Sequence, residues 1–353
     1  MTAGRSSGSG TAGSAVKTRR RRRTLAIITA SLVIVVVAYV AAAAVVWDRL
    51  TAVRGACPDE QAANRPSSFS VPGRASFDPS RWEAPEPEDV RFPSREPSID
   101  VAGWWIPARE PEAEAVIVVH GLNGCRRHHE VLLPAGMLHR AGFSVLLIDL
   151  RDHGDSTRED GRFAGGTDEY RDVLGAWDWL VETHGLAPAQ IGLAGISMGA
   201  GSVMIATGEE PRVAAVWEDS GYSDVSAAIR AELARGGYPE FLAWGGVLMA
   251  RVISGDDLGS LSPLAAARKL DGRPLFVTHG TADSRLSVAY AHELVGAVRA
   301  EGGAVDHWIV AGAGHVEAML RDPMGYEARL SRFFRESLVQ REPGPSVWHG
   351  TDS

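Results

Sequence analysis

The sequence of 353 residues predicts an α/β protein, with a mostly parallel sheet between two layers of helices, preceded by one membrane-spanning helix. Two observations predict this arrangement. Short, continuous apolar runs alternate with helical stretches, and uninterrupted apolar runs are typical of strands buried on both faces. Near the N-terminus, 23 successive residues carry no charge, which is enough for a helix to cross a hydrocarbon core about 30 Å thick.

The N-terminal region predicts the orientation as well as the span. The apolar stretch runs from Leu25 to Trp47, five arginines at 19–23 precede it, and Asp48 follows it. Because basic residues stay in the cytoplasm, we expect a disordered basic cytoplasmic tail over 1–24 and a single-pass signal anchor over 25–47 in the plasma membrane, with the rest of the chain extracytoplasmic. The alternative is a cleaved secretory signal, but the apolar region of such signals runs only about 7 to 15 residues.

Charge is distributed unevenly along the chain. Residues 1–47 carry seven basic side chains and no acidic one, so the remainder has 29 basic against 44 acidic residues, a net charge of about −15. A body of this charge is not expected to bind nucleic acid or to seek anionic lipid. The two cysteines, Cys57 and Cys125, are too few for a disulfide scaffold, and their spacing does not decide whether they pair.

The elements after the span follow in order. Residues 48–94 are rich in proline and predict a stalk or an arm lying on the domain surface. Residues 95–340 predict the folded domain, with a small helical cap at about 221–261, and 341–353 a flexible tail. Strands are predicted over Val116–His120, Ser144–Leu150, Ile191–Ile196, Val213–Asp219, Pro274–Gly280 and Val305–Val310.

Two amphipathic helices are the clearest of those between the strands. The first has an apolar stripe at three- and four-residue spacing, and Thr167 is expected to cap it and Gly185 to end it. The last helix has a similar stripe. The stripe residues are Tyr170, Val173, Leu174, Trp177, Leu180 and Val181 in the first helix, and Tyr326, Leu330, Phe333, Phe334 and Leu338 in the last.

A candidate nucleophile lies in the stretch LAGISMGAGS. Ser197 follows the apolar run Ile191–Ile196, precedes a run of small residues, and is flanked by Gly195 and Gly199. This is the G-x-S-x-G pattern of a nucleophile elbow, in which a tight turn between a strand and a helix exposes the serine hydroxyl. The pattern alone is weak, but its place between a predicted strand and a predicted helix favours a nucleophile over an ordinary turn.

A serine hydroxyl needs a base and a group that orients the base. Asp283 follows the predicted strand at Pro274–Gly280, and His315 follows the strand at Val305–Val310. The chain order Ser197, Asp283, His315 is that of the α/β-hydrolases. Asp219, at the end of the preceding strand, competes with Asp283 for the acid role.

Five motifs, HGLNG, DLRDHGDS, GISMG, HGTAD and GAGH, stand here in the order found in α/β-hydrolase fold serine hydrolases. The chain resembles the membrane-anchored bacterial esterase and prolyl oligopeptidase-like branch of that family, over about residues 95–340. The resemblance implies the α/β-hydrolase fold, a Ser197–His315–Asp283 triad, an acyl-enzyme, and an oxyanion hole formed by the backbone N–H groups of Leu122 and Met198. It implies no metal and no organic cofactor.

Two departures from the family pattern stand out. In DLRDHGDS, Asp152 replaces a glycine, so that turn is expected to differ in detail from the family's, and SRLSVAYAHEL lacks a Val-Pro that relatives often have after the acid. We interpret Asp152 and His153 as parts of that turn rather than as a second acid and base.

The remaining histidines have structural explanations. His120 is expected to support the oxyanion loop and His279 to be structural. His128 and His129 lack a third metal ligand nearby, and His292 lacks a second histidine four residues later.

These observations predict a membrane-anchored serine hydrolase, with carboxylic ester hydrolysis as the first choice because the cap is short and no propeller-like repeats are found. A serine peptidase of the prolyl oligopeptidase-like type is the alternative within the enzyme class. A non-catalytic tethered binding module is the alternative outside it. The natural substrate, an ester or a peptide, and the oligomeric state are not specified by the sequence.

Overall fold

The computed structural model describes residues 10–54, 57, 59–110, 113–239, 241–254 and 261–339. Within these residues the strands form one eight-stranded sheet in the order β1-β2-β4-β3-β5-β6-β7-β8. The pairs β1/β2 and β2/β4 are antiparallel and the others are parallel. The strands are β1 Glu88–Pro93, β2 Asp100–Ile106, β3 Ala115–Val119, β4 Ser144–Ile148, β5 Ile191–Ile196, β6 Ala215–Asp219, β7 Leu275–Gly280 and β8 Val305–Val310.

The predicted α/β architecture is confirmed, and the six predicted strands correspond to β3 through β8. Every residue of β3, β4, β5, β6 and β7 is buried, as their continuous apolar runs indicate. The strand β8 is at the edge of the sheet, and only its last residue, Val310, is buried.

The sequence did not predict β1 and β2. The segment EDVRFP of β1 is mostly exposed and contains a proline, so it lacks a strand-like pattern of its own. It becomes a strand because each of its residues pairs with β2, at the edge where an antiparallel partner is available. The sheet therefore begins inside the 48–94 segment that we expected to be an arm.

Helices cover both faces of the sheet. Residues of α3, α4 and α8 pack on one face, and residues of α2 and α10 on the other. The helices are α1 Gly10–Thr51, α2 His129–Arg140, α3 Tyr170–Thr183, α4 Met198–Glu209, α5 Val225–Arg235, α6 Phe241–Met249, α7 Pro263–Ala267, α8 Ala289–Ala300, α9 Ala318–Arg321 and α10 Pro323–Val339. A π-helical turn, Ala250–Ser254, continues α6.

The predicted stripes of α3 and α10 lie in these two layers, whereas the predicted cap of α3 is wrong. Glu169 is the N-cap residue, and the hydroxyl of Thr167 donates instead to the carbonyl of Ala164, 2.6 Å away. Gly185 follows the helix with φ +66°, so it ends the helix as expected.

The helix α1 contains the predicted span. In the described part of the chain, it is the one helix long and apolar enough to cross a membrane, over Arg19–Arg49. It begins at Gly10, so residues 10–24, expected to be disordered, continue the helix, because extending a helix costs much less than nucleating one. Residues 1–9 and the predicted tail at 341–353 lie outside the described residues.

The segment between α1 and β1 is held against the domain. Phe69, Trp82 and Ala84 are buried in the apolar layer that α2 and α10 form. Cys57 and Cys125 form a disulfide with their Cα atoms 5.3 Å apart. The pairing that the sequence left open therefore joins this segment to the loop after β3.

Candidate active site

Ser197 lies in the turn between β5 and α4. Its backbone has φ 54° and ψ −112°, a left-handed conformation that a residue with a Cβ rarely adopts. The turn is tight, because a Cβ on Gly195 would lie 2.3 Å from the carbonyl oxygen of Gly199, and a Cβ on Gly199 would lie 2.4 Å from that of Val119. Both glycines are required for the strand and the helix to come this close.

His315 lies beside the hydroxyl of Ser197. It follows β8, and its Nε2 is 2.9 Å from Ser197 Oγ, within hydrogen-bonding distance. The imidazole side chain is 19% exposed, so it can reach a substrate as well as the serine. In the tautomer with the ring proton on Nδ1, Nε2 is free to accept the proton of the serine hydroxyl.

Asp283 fixes that tautomer. Its Oδ2 is 2.7 Å from His315 Nδ1, and its Oδ1 accepts the backbone N–H groups of Arg285 and Leu286 at 2.8 and 2.9 Å. Burial opposes ionisation of this carboxyl, but the hydrogen bonds from His279 and His315 outweigh burial and lower its pKa. Asp283 therefore presents a carboxylate to the imidazole.

The carboxyl group of the competing acid, Asp219, has hydrogen-bond partners other than His315. Its side chain accepts the hydroxyls of Ser220 and Tyr326, both at 2.8 Å. Burial raises its pKa to about 6. Its backbone carbonyl accepts the N–H of Ser197 at 2.8 Å, so Asp219 contributes to the position of the serine through the main chain.

Leu122 and Met198 line one cavity of about 230 Å³ together with Ser197. Met198 is the first residue of α4, where a backbone N–H has no acceptor within the helix. The loop that carries Leu122 approaches the serine closely, since a Cβ on Gly121 would lie 3.2 Å from Ser197 Cβ. The loop that carries Leu122 and the first residue of α4 thus both lie beside the nucleophile, and the oxyanion hole formed by their N–H groups stays a prediction.

His120 and His153 support this loop. The ring nitrogens of His120 are 2.8 Å from the carbonyl of Gly121 and 3.0 Å from the N–H of Leu150, and burial lowers its pKa well below the usual value. His153 Nε2 accepts the N–H of Asn123 at 3.2 Å. A neutral His120 that donates to Gly121 and accepts from Leu150 fixes the backbone just before Leu122.

The other polar candidates have partners of their own. His279 is buried, and its Nε2 is 2.9 Å from the carbonyl of Leu286 and 3.2 Å from Asp283 Oδ2. Asp152, with φ 63°, accepts the N–H groups of Glu159 and Gly161, as expected for a turn. His129 bonds to Gln61. Among the described residues, no group of three or more His, Cys, Asp and Glu is arranged to hold a metal ion.

Sequence reasoning missed part of the cavity wall. Arg49 at the end of α1, and Ala52 and Arg54 just after it, line the cavity that contains Ser197. The helix α5 supplies Val225, Ala228, Ile229 and Glu232. No local pattern marks these residues, because their position depends on how α1 packs against the cap.

Comparisons with known proteins agree with this fold. The model of the prolyl oligopeptidase family matches residues 133–340. An esterase of Pyrococcus furiosus is similar in structure, with a TM-score of 0.59, 22% identity, and coverage of 78% of this chain and 98% of that one. A Pyrococcus horikoshii acylaminoacyl peptidase is similar with a TM-score of 0.57 and 19% identity, over 73% of this chain and 43% of that one.

A relative by sequence is an uncharacterized 31.7 kDa protein of Escherichia coli from the traX-finO intergenic region. It is 26% identical over 164 residues, which are 46% of this chain and 50% of that protein, so the match spans half of the relative. The solved structures share too little sequence to show more than the fold.

Proposed function

The chain belongs to the prolyl oligopeptidase family and is an enzyme of the serine hydrolase type, and from this we propose that it is a membrane-anchored carboxylic ester hydrolase. The observation that carries the proposal is the position of one imidazole. His315 lies between the Ser197 hydroxyl, at 2.9 Å, and the Asp283 carboxylate, at 2.7 Å. This arrangement makes a serine hydroxyl nucleophilic.

In the proposed mechanism, Ser197 Oγ attacks the ester carbonyl while His315 Nε2 takes its proton. The oxyanion that forms is held by the N–H groups of Leu122 and Met198, and loss of one such donor typically costs about 3 to 4 kcal/mol of transition-state stabilisation. His315 then gives the proton to the departing alcohol, which leaves an acyl group on Ser197. Water, deprotonated by His315, hydrolyses this acyl-enzyme and restores the hydroxyl.

The apolar part of the cavity supports an ester as the substrate. The lining combines the charged residues Arg49, Arg54, Glu232 and Arg285 with an apolar part that includes Leu122, Phe163, Val225, Ile229 and Leu286. An acyl chain needs only apolar surface of this kind, whereas peptide amide groups placed against it lose hydrogen bonds to water that apolar side chains do not replace.

Two features support the proposed anchoring and orientation. The arginines at 19–23 lie at the N-terminal end of the apolar part of α1, which favours a cytoplasmic N-terminus. The disulfide between Cys57 and Cys125 supports an oxidising compartment on the other side, where such bonds form and persist. A protease added to intact cells should reach the hydrolase domain, and protection of that domain would contradict the orientation.

Labelling by a fluorophosphonate probe tests the proposed nucleophile. We expect the wild type to be labelled and Ser197→Ala not to be. A matched control is Ser202→Ala, on the next turn of α4, where the serine hydroxyl donates to the carbonyl of Met198 at 3.2 Å. Labelling that persists in Ser197→Ala, or a folded wild type that is never labelled, would refute the proposal. Turnover of acyl p-nitrophenyl esters against aminoacyl p-nitroanilides then separates an esterase from a peptidase.

A further inference from the structure

The apolar surface of the described residues is concentrated in one place outside α1. Seven large apolar side chains beyond that helix are exposed, and six of them lie between Tyr238 and Ile253, on and around α6. Trp244 is 76% exposed and Phe241 60%. The six are Tyr238, Phe241, Trp244, Leu248, Val252 and Ile253, and the seventh is Met324. An exposed apolar patch of this kind marks contact with a partner or with a membrane.

The opposite face of α6 packs against α1. Gly245 faces Ala43 so closely that a Cβ on the glycine would lie 2.5 Å from Ala43 Cβ. The hydroxyl of Tyr39 donates to the carbonyl of Phe241 at 3.1 Å, and the two rings stack. Small residues at a close helix-helix contact are typical of helices that pair within a membrane.

The contact with α1 defines the depth of α6. The residues of α1 that it contacts, from Tyr39 to Trp47, are the last nine of the apolar stretch. Tyr39 is nine residues before Asp48, which corresponds to about 13 Å along a helix, close to the thickness of one hydrocarbon leaflet of about 15 Å. If α1 spans the bilayer, α6 lies beside it within the outer leaflet. No charged residue occurs between Phe241 and Ala250.

The same cap lines the cavity of Ser197. Ile229 of α5 packs on the apolar cluster that Val46, Leu233, Leu242 and Ala243 form, and it also lines the cavity. Arg49, two residues after Trp47, lines that cavity too. The cavity of the nucleophile therefore extends to the point where the chain leaves the apolar stretch.

We propose that α6 is embedded in the outer leaflet beside α1, and that the substrate is a lipid ester that enters the Ser197 cavity from this leaflet. The identity of the substrate rests on the proposed function. The acyl chains of the surrounding lipid cover the exposed face of α6. A soluble ester reaches the cavity from water and does not depend on this face.

The depth of α6 can be measured on the full chain reconstituted in phosphatidylcholine vesicles. Both native cysteines are in the disulfide, so a thiol-reactive NBD dye labels only an introduced cysteine. We expect the dye on Trp244→Cys to be quenched by nitroxides on lipid acyl chains and protected from aqueous iodide. The control is Met324→Cys, an exposed apolar position on α10, where the pattern should be reversed. If iodide quenches the dye at position 244 and the lipid nitroxides do not, the proposal is overturned. It is also overturned if the protection from iodide disappears when the protein is diluted in lipid, because the protection then comes from a second copy of the chain.

Ester turnover tests whether the substrate enters from the outer leaflet. A charged residue is disfavoured in a leaflet, so Trp244→Glu should lower turnover of a long-chain acyl ester in vesicles at least about tenfold, while leaving a short soluble ester within about twofold. Trp244→Leu should retain both activities, and Met324→Glu is the matched control. Equal loss with both esters in Trp244→Glu would refute entry from the leaflet. A wild type that hydrolyses neither ester refutes the proposed function, and the depth measurement, which needs no turnover, then decides the position of α6.

Discussion

Replacing Asp283 by asparagine tests the proposed triad most directly, because the surrounding hydrogen bonds determine how the amide is oriented. The backbone N–H groups of Arg285 and Leu286 point at Oδ1, so the amide oxygen of the introduced asparagine must take that place. The amide NH₂ then occupies the position of Oδ2, 2.7 Å from His315 Nδ1. Two donors cannot face each other, so His315 adopts the tautomer with its proton on Nε2 and cannot accept the proton of Ser197.

The expected effect follows from that tautomer. Enforcing the wrong tautomer in a serine triad lowers kcat by about four orders of magnitude. This corresponds to about 5.5 kcal/mol in the activation free energy, at 1.36 kcal/mol for each factor of ten. The assay is kcat for a soluble short-chain p-nitrophenyl ester, with urea unfolding to establish that the variant is folded.

The matched control is Asp219→Asn, which changes the other candidate acid. Its carboxyl bonds to Ser220 and Tyr326, so its kcat should stay within about threefold of the wild type. The assignment of Asp283 as the acid fails if the kcat of Asp283→Asn stays within tenfold of the wild type while the kcat of Asp219→Asn falls a thousandfold. That result would show that Asp219 is the acid.

Two further predictions concern stability. Changing Cys57 and Cys125 to serine opens a cross-link between positions 68 residues apart and should lower the free energy of unfolding by about 2 to 4 kcal/mol in urea, and an unchanged midpoint would contradict this. Burial raises the pKa of Glu218 to about 7 from 4.5, so the wild type loses stability as pH rises between these values, because ionisation is easier in the unfolded chain. The free energy of unfolding of Glu218→Gln should therefore rise relative to that of the wild type by on the order of 1 to 3 kcal/mol between pH 4 and pH 8. A difference between the two proteins that does not change with pH would refute the raised pKa of Glu218.

Local patterns in the sequence determined the central strands and the candidate residues of the site. The runs of β3 to β7 are buried on both faces, so each carries its apolar signal without its neighbours. Ser197, Asp283 and His315 each follow a strand, and parallel strands bring their carboxyl ends to the same edge of the sheet. For this reason three residues separated by up to 118 positions could be proposed as one site.

Only the tertiary structure decided the features that depend on distant partners. The strand β1 exists because β2 pairs with it, and Cys57 meets Cys125 because the arm lies on the domain. The choice between two carboxylates follows from which one faces His315. The contact between α6 and α1, on which the inferred entry from the membrane rests, joins residues about 200 positions apart. The sequence of either segment does not identify its partner, because the buried face of a helix is apolar whichever element packs against it.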